Sequence, residues 1–146
     1  MGQQQLLLLV LSTVIVGLAT VAGIQAFSEN QAQASQDALV QRGQSIASNI
    51  KGLQGKPEQM GGIDLVDESP SASDIASAAG YSETVIGAEG AGTNGRCEIV
   101  ISEQNDNSAG VQCAADNANQ DVHLYYDAGS DEIGTNFSDG YGVSES

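Results

Sequence analysis

The side chains with chemical potential are few and scattered. Cys97 and Cys113 are the only cysteines, sixteen positions apart. That spacing is wrong for a redox CxxC pair, and two cysteines make no zinc set. His123 is the single histidine and sits inside the alternating segment DVHLYYD, with no companion that marks it as a general base. Nineteen acidic residues supply carboxylates in plenty, yet no pair stands out as a general acid and base. Four of the carboxylates, Asp127, Asp131, Glu132 and Asp139, gather around the tail DAGSDEIGTNFSDG. Such oxygen-rich loops suit a hard cation, and calcium is the candidate, although the spacing is not that of an EF-hand. The plainer reading of the same stretch is a solvated acidic tail. Asn136-Phe137-Ser138 forms a glycosylation sequon. No P-loop, nucleophile elbow or zinc-ligand spacing occurs. We expect no enzyme activity and no dedicated cofactor.

The elements that must carry these residues are short. CEIVISE (Cys97 to Glu103) and SAGVQCA (Ser108 to Ala114) flank the polar cluster Gln104-Asn105-Asp106-Asn107, the pattern of a β-hairpin. A turn centred on Asn105 sets Cys97 opposite Cys113 and Ile99 opposite Val111 on one face of the ribbon. Asp121 to Asp127 reads as a further strand, with Val122, Leu124 and Tyr126 on one side. Ile63, Leu65 and Val66 are expected to open a strand, and Tyr81 to Ile86 is β-prone. Ser73 is the expected cap of a short helix, Asp74 to Ala79, ended by Gly80. Gly87 to Gly95, GAEGAGTNG, is a loop.

The N-terminal third is of a different kind. An uncharged run begins with Leu6, Leu7, Leu8, Leu9, Val10 and Leu11, continues through Val14, Ile15, Leu18, Val21 and Ile24, and ends at Phe27. As a helix its 22 residues span about 33 Å, the hydrocarbon thickness of a bilayer. Three uses fit such a segment: a cleaved secretory signal, a permanent single-span anchor, or a helix that assembles with its own kind. A signal normally has a basic start and a shorter apolar stretch, and this run has neither. From Ser28 to Leu53 the chain stays proline-free and rich in Ala and Gln, with Leu39, Ile46, Ile50 and Leu53 forming one apolar stripe. Gly55 and Pro57 are stop signals. The two halves make one helix of about 48 residues, roughly 70 Å long. Its second half has a face to dock against a domain, and its first has only lipid or other copies. Gly17, Gly23 and Gly43 punctuate the helix, where glycine permits close approach.

Charge narrows the partners. Four basic residues stand against nineteen acidic ones, a net charge of −15, and every charge lies at or after Glu29. Such a surface repels polyanions, so nucleic acid is excluded as a partner. It also repels its own copies unless salt shortens the Debye length from about 10 Å at 0.1 M to about 3 Å at 1 M, which suits a halophilic setting; an acidic surface that simply keeps the domain soluble is the equal alternative. A domain exposed outside the membrane lies where thiols oxidise, so a Cys97–Cys113 disulfide is expected.

This layout resembles the type IV pilins and pseudopilins. The shared features are the leader Met1-Gly2, the opening QQQLLLLVLSTVIVG, an amphipathic continuation, and a small β-rich domain with a late cysteine pair. The chain looks like a divergent bacterial branch with a Gln-rich start. The resemblance covers the first fifty residues in pattern and the remainder in architecture. It implies cleavage by a prepilin peptidase after Gly2, so that Gln3 becomes the first residue. It implies storage in the inner membrane, extraction by an assembly machine, and an extracellular homopolymer built on the hydrophobic helices. The family's aromatic first residue and early glutamate are absent here; only Gln and Leu fill that zone, and Glu29 comes too late. Cyclisation of Gln3 to a neutral pyroglutamate would remove the amine that the glutamate usually pairs. The expected fold is α+β: a long helix on a small antiparallel sheet. Its parts are a leader (1–2), an assembly or transmembrane helix (3–27), an amphipathic continuation (28–54) and an acidic outer domain (55–146). A membrane-anchored binding domain and a minor pseudopilin of a secretion machine share this layout.

Overall fold

A computed structural model describes residues 2–101 and 108–138. One helix, α1, runs from Gly2–Gln54, 53 residues or about 80 Å. It is proline-free throughout, so no backbone hydrogen bond is lost within it, and it ends just before Gly55 as expected. A single 3₁₀ turn follows at Glu58–Met60, then a short helix, α2, at Ala72–Ala78. Five strands follow among the described residues: β1 (Val85–Gly87), β2 (Arg96–Ile101), β3 (Ser108–Ala114), β4 (Asp121–Asp127) and β5 (Glu132–Ser138). They pair in sequence order, all antiparallel, as a single meander.

The register follows the hairpin reading. Cys97 faces Cys113 and Ile99 faces Val111, although the expected turn residues Gln104 to Asn107 lie outside the described residues. Because side chains alternate, that register puts Cys97, Ile99, Val111, Cys113, Val122, Leu124 and Tyr126 on one face, and all are buried. α1 lies across this face, against β3 and β4 and touching β2. Leu39, Ile46 and Ile50 are fully enclosed and Leu53 nearly so. Each such side chain contributes on the order of 1.5–3 kcal/mol by leaving water. α2 closes the core over β2, with Ile75 and Ala76 buried.

Gly43 is what lets the helix settle on the sheet. A Cβ built there would overlap the end of Leu124 and lie 3.3 Å from Cys113 Sγ. The close approach that glycine permits is made here to the sheet. Ala47, one turn on, is likewise buried.

Three local expectations are corrected. Ile63 to Val66 form no strand: Asp64 Oδ1 accepts from the backbone N–H groups of Val66 (2.8 Å) and Asp67 (3.1 Å), and the chain turns there. These two bonds hold the Asp64 carboxyl below its ordinary range. Ile63 and Leu65 are buried as loop anchors, Leu65 donating its N–H to Gln54 Oε1 at 2.9 Å. The helix cap is Ser71, not Ser73. Ser71 accepts from Asp74 N, and Asp74 Oδ2 accepts in return from Ser71 N, a reciprocal capping box that Ser73 could not complete. Finally, the acidic tail contains strand β5. Ile133, Thr135 and Phe137 alternate within EIGTNFS, a period-two pattern that the neighbouring acidic residues obscured.

Candidate assembly surface

Hydroxyls in the apolar half of α1 are satisfied locally. Ser12 donates to Leu9 O (2.9 Å), Thr13 to Val10 O (2.8 Å), and Thr20 to Val16 O and Gly17 O (2.9 and 2.8 Å). Such back-bonding returns the hydroxyls to the helix's own carbonyls, the requirement for any polar group in lipid or in an apolar interface. The segment is long and apolar enough to cross a membrane, and none of it is buried within the subunit. Its large side chains stay between 48% (Val10) and 70% (Ile24) exposed. The first buried residue of α1 is Ser35. An exposed apolar surface on this scale is far beyond what soluble monomers carry.

Val16, Ala19, Thr20, Gly23, Ile24 and Phe27 line a shallow apolar groove of about 540 Å³. The small residues Ala19 and Gly23 lie in the same stripe as the larger Val16, Ile24 and Phe27, and small residues on a helix face permit close approach. A Cβ added at Gly17 or Gly23 would meet nothing in the subunit.

The docked half of α1 is held by more than its apolar stripe. Lys51 Nζ lies 3.1 Å from Asp131 Oδ1 and 3.0 Å from the Asp131 carbonyl. The Tyr126 hydroxyl donates to the same carboxylate at 3.0 Å. The Lys51 bond, then the Tyr126 bond, hold the Asp131 carboxyl below its ordinary range. Burial, with the Asp131 contact added, pushes the Tyr126 hydroxyl up. Asp127 is engaged nearby: Oδ1 accepts from Gly129 N (2.8 Å) and Oδ2 from the Ser130 hydroxyl (3.1 Å).

These bonds bear on the calcium reading. Asp127 and Asp131 turn their oxygens onto the β4–β5 turn and α1, and Glu132 opens β5 opposite Asp127. Asp139 lies outside the described residues. Among the described residues no group of three or more acidic, histidine or cysteine side chains is placed to hold a metal ion.

His123 stands on the sheet face away from α1, level with Gln112 and Asn136. Its Nε2 lies 2.7 Å from where a Cβ of Gly110 would be, and its ring is 6.3 Å from that of Tyr125. Burial lowers its pKa. Cys97 and Cys113 are joined as a disulfide between β2 and β3.

Fold and surface together define an α+β protein with a single disulfide, whose N-terminal helix extends its apolar half beyond the domain it supports. No family model, curated protein or solved structure matches the chain.

Proposed function

We propose that this chain is the structural subunit of an extracellular pilus-like filament. The observation that carries the reading is the division of α1: one uninterrupted helix, docked from Ser35 onward and bare before it. The subunit rests in the inner membrane with its acidic domain outside. An assembly machine then draws it out, and Leu6 to Phe27 exchange lipid for the same segments of neighbouring copies. Each apolar Å² kept from water in the exchange is worth about 25 cal/mol. Processing by a prepilin peptidase after Gly2, with Gln3 as the new first residue, belongs to the same reading. The outer domains form the solvent-facing sheath, and their charge makes assembly easier in high salt.

The test is paired. Leu9→Asp or Val14→Asp places a charge in the helical core and is expected to abolish filaments in sheared surface material, while the outer domain keeps its disulfide and its melting transition. Normal filaments from both variants would refute the reading. Native protein that remains a dispersed, lipid-bound monomer would instead establish a membrane-anchored binding domain.

A further inference from the structure

The docked half of α1 carries a cation that the subunit leaves unsatisfied. Arg42 lines a groove of about 410 Å³ with Ala38, Gln41, Ser45 and Glu89. Its Nε is buried without a hydrogen-bond partner, an arrangement that native proteins avoid. Glu89 shares the groove but forms no ion pair with it. A guanidinium is built to take a carboxylate in a bidentate grip, and in a chain of net charge −15 an unused arginine is a scarce resource.

Helical geometry shows where a matching carboxylate lies. Lys51 is nine positions beyond Arg42, about 180° round the helix, and its bond to Asp131 marks that flank as the one facing the β4–β5 turn. Asp37 precedes Lys51 by fourteen positions, which returns it to within about 40° of the Lys51 flank. Asp37 is exposed and has no ion-pair or hydrogen-bond partner among the described residues. The subunit therefore presents an unpaired arginine on one flank of α1 and an unpaired aspartate on the other. They cannot meet within one helix. Two copies side by side bring them together.

We propose that Arg42 of each subunit grips Asp37 of the adjacent copy, an inference that rests on the filament reading and adds its register. The contact is heterologous: different flanks meet, so every copy keeps one free flank for the next and the chain of contacts stays open, as a filament requires. Asp37 lies about 7.5 Å along the axis from Arg42, so the pair sets the axial offset between neighbours. Glu29, on the bare part of the helix, would give an offset of about 19.5 Å and a pair more fully exposed to screening.

Charge exchange in the full-length chain tests this, with filament yield measured by pelleting and electron microscopy. R42E and D37R are each expected to lower yield at least tenfold, and R42E combined with D37R to restore it. Melting of the outer domain in detergent should match wild type in all three. Wild-type yield from R42E, no recovery in the double variant, or recovery with Glu29→Arg in place of D37R would overturn the pairing. Should R42E unfold the domain, a chain carrying R42C and D37C decides instead: a short bis-maleimide yields a ladder of covalent multimers if the flanks abut, and no ladder overturns the proposal. Absence of filaments from the wild type would sink the filament reading and this contact with it. Filaments that ignore these substitutions would sink this contact alone.

Discussion

Gly43 and Leu124 touch so closely that nothing larger than hydrogen fits between the backbone of α1 and the Leu124 side chain. Gly43 sits between the enclosed side chains of Leu39 and Ile46, so the helix cannot tilt away without opening the core.

Gly43→Leu is therefore expected to destabilise the outer domain by about 1–3 kcal/mol through overpacking. Denaturant melts in detergent measure it. Gly17→Leu and Gly23→Leu, which meet open space in the subunit, should leave the same melt unchanged. Leucine is the better helix former, so an equal loss from all three would show that the close contact with Leu124 does not set the effect.

The disulfide closes a loop of 16 positions across a strand pair that the register already aligns. Replacing both cysteines by Ala is expected to lower domain stability by about 3 kcal/mol in the chain-entropy model. Because the strands pair without it, circular dichroism should retain the sheet signal at low temperature. Loss of that signal would mean that the cross-link, rather than the apolar face, holds β2 to β3.

Asp131 makes stability depend on acid. Its pKa is lowered in the fold from the ordinary 3.8, so the stabilisation is complete above that value and disappears as pH falls through the lower folded value. Asp131→Asn should therefore melt below wild type at neutral pH, with the gap closing in strong acid and narrowing in high salt. A gap independent of pH would assign the effect to the turn, where Asp131 has a φ of 57°.

His123 acts with the same sign, in a higher pH range. Burial lowers its pKa from 6.5, so the unfolded chain takes up a proton first as pH falls. Wild-type stability should rise with pH from the lowered folded value up to about 6.5 and level off above it. His123→Gln should flatten that segment of the curve. NMR titration of the single histidine provides the direct check: a pKa at or above 6.5 would contradict the burial.

Much of this was visible in particular residues. The apolar run from Leu6 to Phe27 needs no context to be read as a long exposed helix, because length and hydrophobicity act segment by segment. The stripe Leu39, Ile46, Ile50 and Leu53 and the alternation Val122, Leu124 and Tyr126 disclosed which faces meet, since helix and strand periods differ. The cysteine hairpin was fixed by its own local symmetry. Where side chains compete for the same backbone groups, local reading failed. Asp64 turned an expected strand into a bend, and Ser71 rather than Ser73 capped α2 because only Ser71 has an aspartate three residues on.

Chain order alone determined a helix with an oily half and a docking half, a disulfide-bearing hairpin and an acidic surface, since each depends on neighbours within a few residues. Only the folded arrangement decided that Gly43 is a contact with Leu124, that Asp131 belongs to Lys51, that β5 extends the sheet, and that Arg42 and Asp37 lie on different flanks of α1. Those facts join residues up to 81 positions apart, such as Gly43 and Leu124. Such pairs become neighbours only when a long helix is laid across a sheet, where shape and charge are matched through space and not along the chain.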